Sequence, residues 1–248
     1  MNSVTMNSGK IYLFNMEIKK VYCLFEQSGT FKHAFQALGF DAIDIDIENF
    51  YNETDIICDI FDEIDAACNK KSSFFDTVTK DDLILAFFPC TYFSQQSQMN
   101  FSSSSRLYVG LSNEEICDKI IERDKKRSQY YQHLLLLIKI GFARQLRIII
   151  ENPGNGINYL ICGQNFFKKP DLIDYNRRAR GDKFVKPTAY WFFGCERTYG
   201  HSDAKLKKQK KIYNTSGFER SRIEYDYAVN FIRDFILGKE KSQQLSLF

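Results

Sequence analysis

A cysteine and a glutamate follow two of the most apolar segments of the sequence. Cys90 comes just after residues 82–88 (DLILAFF), and Glu151 ends residues 146–151 (LRIIIE). Short apolar runs of this kind are typical of buried strands. A cysteine in an apolar segment usually packs inertly, but one placed directly beyond a strand can act as a nucleophile. A carboxylate after four apolar residues is costly unless it is paired or catalytic.

Three further polar features also lie at the ends of apolar runs. Residues 25–31 (FEQSGTF) form a strand-to-helix turn with one glycine, Asp44 and Asp46 end the next run, and Asp59 follows a third. In open parallel sheets, ligands bind at the carboxyl ends of the strands. The turn could therefore bind a nucleotide, and the acids could bind the ribose of that nucleotide. Each feature is as readily explained by ordinary turn structure.

Short apolar runs alternate with helical segments along the chain, which predicts an α/β domain with a mostly parallel, doubly wound sheet. Ser112 and Glu115 form a capping-box pattern at the start of the longest helix, and Gly39 ends the first helix. The predicted strands are residues 20–26, 41–46, 56–60, 82–88, 146–151 and 188–193, and the predicted helices are residues 30–38, 112–142 and 225–237.

Composition narrows the class of protein. The chain has 248 residues, 44% hydrophobic and 26% charged, with a net charge of +3, which excludes disordered, collagenous and coiled-coil chains. No apolar run is long enough to span a bilayer, and no secretion signal is present. The seven cysteines lack metal-ligand spacing. We therefore expect a cytoplasmic protein with neither a bound metal nor a membrane partner.

The ordered set of motifs resembles that of DNA (cytosine-5)-methyltransferases. Residues 89–94 (PCTYFS) resemble the family's Pro-Cys-x-x-Phe-Ser motif, and residues 151–153 (ENP) resemble its Glu-Asn-Val motif. FEQSGTF is similar to the S-adenosylmethionine loop, DIDIEN to the ribose-binding acid and CDI to the adenine-contacting Asp-Ile. ERSRIEYDYAVNFI is similar to the last motif, so the resemblance covers about residues 20–238.

The resemblance implies a Rossmann-like class I methyltransferase domain over residues 20–238, with S-adenosylmethionine as cofactor, in the cytosol of a bacterium or a phage-infected host. It also implies that Cys90 attacks C6 of a flipped-out cytosine, which calls for a lowered thiol pKa. Glu151 would hold or protonate N3 of the base, Asn152 would fix the loop, and Lys186 is the nearest basic equivalent of a missing Gln-x-Arg-x-Arg motif. The residues implied to bind the cofactor are Phe25, Glu26, Ser28, Gly29, Thr30, Asp46, Asp59, Ile60, Pro89 and Ser221.

The sequence departs from the family pattern at several points. Gln27 replaces the first glycine of the cofactor loop, and Pro153 replaces the valine of Glu-Asn-Val. Only about 30 residues separate the strand at residues 188–193 from the last motif, where the family carries a large target-recognition domain. Residues 194–217 would thus form a reduced recognition region, and we expect low sequence specificity.

Double-stranded DNA is the expected partner. Residues 205–211 (KLKKQKK) form a basic run that is suited to phosphates, although a solvated loop would look similar. The polar, serine-rich residues 94–111 are expected to form a mobile loop. The candidate DNA-binding residues are Ser94, Arg178, Arg180, Lys207, Lys208, Lys210 and Lys211.

Both ends of the sequence lie outside the predicted domain. Residues 1–19 form an N-terminal extension, and residues 239–248 a charged linker ending in QLSLF. QLSLF resembles the short motif that docks bacterial proteins into the replication sliding clamp, with Gln244, Leu245, Leu247 and Phe248 as anchors. A frayed apolar segment is the alternative.

Two other functions remain open on the sequence. One is a catalytically degenerate methyltransferase that binds DNA or the clamp, which Gln27 and the missing arginine motif favour. The other is methylation of RNA or of another pyrimidine. An amino-methyltransferase is disfavoured, because those enzymes use an acid or Asn followed by Pro-Pro and an aromatic residue.

Overall fold

The computed structural model of the chain describes residues 12–13, 16–201, 204, 206–209 and 222–238. Its strands are β1 (Tyr12–Leu13), β2 (Met16–Glu17), β3 (Lys20–Leu24), β4 (Asp41–Asp46), β5 (Ile56–Ile57), β6 (Leu83–Ala86), β7 (Arg147–Pro153), β8 (Leu172–Asp174) and β9 (Thr188–Phe193). Its α-helices are α1 (Thr30–Ala37), α2 (Ile60–Cys68), α3 (Gln95–Met99), α4 (Asn113–Arg144) and α5 (Tyr225–Phe231), which continues as a π-helix over Ile232–Leu237. The 3₁₀ turns are Phe74–Thr77, Arg106–Tyr108, Cys162–Gln164 and Arg177–Arg180.

Seven strands form one mostly parallel sheet, which confirms the predicted α/β class. The strand order is β5-β4-β3-β6-β7-β9-β8, while β1 and β2 make a separate hairpin. Strands β5, β4, β3, β6 and β7 are parallel neighbours, in the order 3-2-1-4-5 of a Rossmann-type sheet. The strand order reverses between β3 and β6, so the crevice beyond their carboxyl ends is the expected ligand site.

Helices cover both faces of the sheet, as expected of a doubly wound fold. On one face, Val21 and Leu85 pack with Phe31 of α1 and Phe231 of α5. On the other face, alternate residues of the same strands pack with Ile64 of α2 and with Leu137 and Ile138 of α4. Both faces of each central strand are buried, which is why these strands are continuous apolar runs in the sequence.

The structure corrects several sequence-based boundaries. The strand predicted at residues 56–60 ends at Ile57, and Asp59 caps helix α2 by accepting a hydrogen bond from the Phe61 amide, 2.8 Å. Strand β8 was not predicted, because three residues carry too little pattern. The serine-rich segment, predicted to be a loop, contains α3 and the turn Arg106–Tyr108.

Candidate active site

A cavity of about 560 Å³ opens at the carboxyl ends of β3, β4, β6 and β7. This volume is within the range of small-molecule and cofactor sites. Ten of the sequence-predicted site residues line it: Phe25, Glu26, Ser28, Asp46, Asp59, Ile60, Pro89, Cys90, Glu151 and Lys186. The fold thus brings the candidate cofactor residues and the candidate nucleophile to one space.

The reversed strand β9 explains how Lys186 reaches this edge. β9 runs antiparallel to β7, with Thr188 opposite Pro153, so the residues just before β9 lie beside the carboxyl end of β7. The Gly154 amide donates to the Pro187 carbonyl, 2.7 Å. A side chain at Gly154 would sit 2.7 Å from the main chain of Thr188, so this close approach requires glycine.

Cys90 lies in a tight turn after β6. Its carbonyl accepts hydrogen bonds from the amides of Phe93 and Ser94, both 3.0 Å, and the Ser94 hydroxyl then caps α3 by accepting from the Ser97 amide, 3.3 Å. The thiol is partly buried and faces the cavity. Ser94, a candidate DNA contact, is therefore engaged in holding this turn.

The expectation that the site lowers the thiol pKa is wrong for the protein without ligands. Burial raises the pKa of Cys90, the Glu151 carboxylate raises it further, and the Lys186 ammonium opposes both. Removal from water favours the neutral thiol over the thiolate, so the one nearby cation does not compensate. A nucleophilic role for Cys90 would therefore require a proton acceptor beside the thiol.

Glu151 and Lys186 have pKa values shifted toward one another. Burial raises the pKa of Glu151, against the cations Lys186 and Arg177. Burial and Arg177 lower the pKa of Lys186, against Glu151 and Cys90. Burial therefore favours the neutral form of each group, the protonated carboxyl of Glu151 and the unprotonated amine of Lys186. The arrangement can therefore hold a proton on either a carboxyl or an amine beside the thiol.

Arg177 is a cavity residue that the sequence analysis missed. It is 1% exposed, pairs with Asp182 and stacks on the Tyr227 ring at 4.5 Å. Its Nε and Nη1 atoms are buried and have no hydrogen-bond partner among the described residues, while its side chain lines the cavity. Unpartnered guanidinium nitrogens in a cavity are suited to a ligand oxygen.

The opposite end of the cavity is acidic and lies at the start of α1. The Glu26 carboxylate accepts hydrogen bonds from the Phe31 amide, 3.0 Å, and the Ser28 hydroxyl, 3.1 Å. Burial nevertheless raises the pKa of Glu26 to about 7. Gly29 has a left-handed backbone (φ +63°) before the helix, and Thr30 donates from Oγ1 to the Ile223 carbonyl, 3.4 Å. Gly29 and Thr30 shape the loop without lining the cavity.

Gln27 contacts two acids at and just after the end of β4. Its Nε2 atom donates to Asp46 Oδ1, 3.3 Å, and to Glu48 Oε2, 3.1 Å. Burial raises the pKa of Asp46, and hydrogen bonds from the Glu48 amide and Gln27 oppose this. Gln27 therefore occupies one acceptor position on each of these two carboxylates.

Two arginines that were expected to contact DNA lie away from the cavity. Arg180 pairs with Asp174, 2.9 Å, and with Asp234, 3.1 Å, so its role is to tie the turn after β8 to the last helix. Arg178 donates from Nη2 to the Lys207 carbonyl, 3.0 Å. Arg178 and Arg180 are the residues predicted from the sequence, whereas the turn directs Arg177 into the cavity.

The basic run is only partly described. Lys207 pairs with Glu224, 3.1 Å, and with Asp226, 3.0 Å, while Lys208 is exposed. Lys210, Lys211 and Ser221 lie outside the described residues, as do the candidate clamp anchors Gln244, Leu245, Leu247 and Phe248.

Within the described part of the chain, no three His, Cys, Asp or Glu side chains group as a metal site would require. None of the helices described there combines the length and the apolar character needed to cross a membrane. All seven cysteines are described, and none forms a disulfide.

Comparison with known proteins adds no assignment to this geometry. No protein-family model matches the chain, and no curated protein is significantly similar to it in sequence.

Proposed function

We propose that this protein transfers a methyl group from S-adenosylmethionine to C5 of cytosine in DNA. The observation that carries the proposal is one cavity with an acidic, glycine-turn end at β3 and β4 and a Cys90–Glu151–Lys186 end at β6 and β7. A two-substrate transfer needs both sites in one continuous space, and the volume of about 560 Å³ suits a cofactor together with a single base.

The acidic end suits the proposed cofactor. S-adenosylmethionine supplies an electrophilic methyl group on a positively charged sulfur. Glu26 and Asp46 offer carboxylates to that charge and to ribose hydroxyls, and Phe25 and Phe61 offer aromatic faces to a purine. Asp59 presents its carboxylate at the N-terminus of α2, next to Ile60. These residues fit the cofactor in charge and in shape.

At the other end, the residues suit addition to a pyrimidine. Lys186 lines the cavity with Cys90 and would take the thiol proton in its unprotonated form, which burial favours. The thiolate then adds to C6, and a proton from Glu151 to N3 prevents negative charge from building up on the ring. C5 would then take the methyl group as the sulfonium–methyl bond breaks, and would lose its own proton to solvent. The C6–sulfur bond would break to regenerate the Cys90 thiolate, and N3 would return its proton to Glu151.

The test is a mass measurement after incubation with 5-fluorocytosine DNA and S-adenosylmethionine. Fluorine at C5 cannot leave as a proton does, so the protein should stay covalently joined to the DNA. Cys90→Ala should form no adduct, while the matched control Cys117→Ala, which removes an exposed cysteine on α4, should form it fully. Absence of an adduct in the wild type, with cofactor bound, would contradict the proposal.

Gln27 supports a second candidate, a methyltransferase-like protein that binds DNA without catalysis. Its side-chain amide already holds Asp46 and Glu48, as a residue that closes a lost cofactor site would do. Calorimetry separates the two: binding of S-adenosylmethionine or S-adenosylhomocysteine supports the enzyme, and no binding of either supports the second candidate.

A further inference from the structure

One stripe of helix α4 connects the candidate active site to a second groove. Lys119, Arg123, Lys126 and Tyr130 follow one another at intervals of four, three and four residues, which places them on one face of a helix. Tyr130 lines the active-site cavity, and the other three line a groove of about 210 Å³. We call these four residues the α4 stripe.

The segment after Cys90 packs along the α4 stripe. The Tyr92 ring lies 4.9 Å from the Tyr130 ring and 5.5 Å from the Arg123 guanidinium. Arg123 also stacks on Phe101 at 5.7 Å and donates from Nη2 to Ser97 Oγ, 2.9 Å. Tyr92 lines the groove and contacts Tyr130, which lines the cavity, so the two spaces are adjacent along the helix.

The lining of the groove carries three cations and one carboxylate, Glu122. Lys119 and Lys126 are exposed, and Arg123 is partly buried against the aromatic rings. Glu122 pairs with Lys126 at 3.0 Å, and the other acids of α4 near the stripe are Glu115, one turn before Lys119, Asp118 and Asp124. Asp124 is already paired with Arg127. An exposed pair such as Lys126–Glu122 is weak, so a phosphate can compete for the lysine.

We propose that the α4 stripe binds the phosphodiester backbone of duplex DNA next to the nucleotide that enters the cavity. This inference rests on the proposed function and names a DNA contact outside the residues implied by the resemblance. From Lys119 to Tyr130 the helix advances about 16 Å, the length of about five nucleotide steps at 3.4 Å each. Backbone contacts of this kind position DNA without reading its sequence.

The structure also indicates why such a surface is needed. Of the residues expected to contact phosphates, Arg180 and Lys207 are each held by two carboxylates. A flipped nucleotide must be held through its flanking phosphates. The α4 stripe provides three cations along the groove that adjoins the cavity, on a rigid helix that begins with a capping box at Ser112.

The test compares two double variants of the full chain. Lys119→Gln with Lys126→Gln removes the two exposed lysines of the stripe. Lys71→Gln with Lys80→Gln removes two exposed lysines that precede β6, near the other edge of the sheet. Both variants lose the same net charge, so any difference reports a local contact. Affinity for a fluorescent 20-base-pair duplex is measured by anisotropy at several salt concentrations.

For the stripe variant, the slope of log affinity against log salt should fall by about 1.8, about 0.9 for each lost phosphate contact. The control variant should keep the wild-type slope. Equal slopes for the two variants would overturn the inference, as would tighter binding of an RNA duplex of the same sequence. Unfolding midpoints in urea should be equal for all three proteins.

The 5-fluorocytosine adduct separates failure of this inference from failure of the proposed function. If the wild type forms the adduct but the stripe variant keeps the wild-type slope, the proposed role of the stripe is wrong and the proposed function stands. If the stripe variant has a reduced slope but the wild type forms no adduct, the stripe is a DNA-binding surface and the proposed methyltransferase function is wrong.

Discussion

The side-chain amide of Asn152 joins the ends of two neighbouring strands by donating from Nδ2 to the Phe88 carbonyl, 2.9 Å. Asn152 is fully buried on β7, directly after Glu151, and Phe88 lies two residues before Cys90. Asn152 Oδ1 in turn accepts from Asn158 Nδ2, 3.0 Å. One side chain therefore sets the position of the cysteine turn relative to the glutamate, without touching the cavity.

Replacing Asn152 should therefore affect both stability and chemistry. Asn152→Ala leaves the Phe88 carbonyl and the Asn158 amide buried without these partners, which should lower the free energy of unfolding by about 1–3 kcal/mol. Misplacement of Cys90 should slow adduct formation on 5-fluorocytosine DNA on the order of 100-fold. Urea denaturation and adduct kinetics measure the two effects.

Asn155→Ala is the matched control, because the Asn155 amide makes only an exposed hydrogen bond to Gln95, 3.3 Å. Affinity for S-adenosylhomocysteine should be unchanged in both variants. Full adduct rates in Asn152→Ala would show that the hydrogen bond is structural only.

The raised pKa of Cys90 predicts opposite effects for its two charged neighbours. Glu151→Gln removes an anion that raises the thiol pKa, so alkylation by iodoacetamide should begin at lower pH. Lys186→Met removes the cation that lowers it, so alkylation should begin at higher pH. Mass spectrometry of the Cys90 peptide after alkylation at a series of pH values gives each profile.

Cys117 serves as an internal control, because it is exposed on α4 and away from the cavity lining. Its alkylation profile should be the same in the wild type and both variants. Superimposable Cys90 profiles in all three proteins would mean that neither charge acts on the thiol.

The apolar runs predicted most of the sheet because the central strands are buried on both faces. Residues 41–46 and 188–193 are strands with the predicted bounds, and Ser112 caps the long helix as its pattern indicates. The direction of β9 could not be predicted, because a strand buried on both faces has the same composition in either orientation. That direction is what places Lys186 beside Glu151.

Arg177 shows a second limit of sequence-based prediction. Residues 177–180 (RRAR) contain three arginines, and composition cannot tell which one enters a cavity. The answer depends on β8, a strand of three residues, and on the 3₁₀ turn that follows it. By contrast, the start of helix α2 could have been predicted from the sequence, since Asp59 is a good N-cap and Asp62 and Glu63 lie in the first turn.

The C-terminal motif predicts binding to a bacterial sliding clamp. Deletion of residues 244–248 should abolish clamp binding, because Leu247 and Phe248 are expected to fill an apolar pocket. Methylation of free DNA should be nearly unchanged, since the tail would act by raising the local concentration of DNA. Surface plasmon resonance on an immobilised clamp measures the loss, and Ser246→Ala, between the anchors, is the control that should still bind. Equal affinity of the full-length and truncated proteins would refute this role.

The short recognition region predicts methylation of low sequence specificity. Bisulfite sequencing of mixed-sequence DNA should show modified cytosines in many contexts, and strict dependence on a long site would contradict this.

Within the basic run, Lys208→Gln should weaken DNA binding and lower its salt dependence by about one unit of slope. Lys207→Gln should instead mainly reduce stability, because Lys207 pairs with Glu224 and Asp226.

The pKa of Glu26, which burial raises to about 7, predicts pH-dependent binding of the proposed cofactor. Below pH 7 the carboxyl is mostly neutral, and above pH 7 it is a carboxylate in the same cavity as the sulfonium. A bound cation favours the ionised form, so affinity for S-adenosylmethionine should rise between pH 6 and pH 8. S-adenosylhomocysteine lacks the sulfonium charge, so its affinity should rise less. Calorimetry at pH 6, 7 and 8 gives the ratio of the two affinities.

Glu26→Gln can still accept the hydrogen bond from the Phe31 amide but cannot ionise, and its ratio should not vary with pH. If the ratio of the two affinities rises equally with pH in Glu26→Gln, the effect belongs to another acid of the cavity. Asp46 is then the best candidate, because burial also raises its pKa.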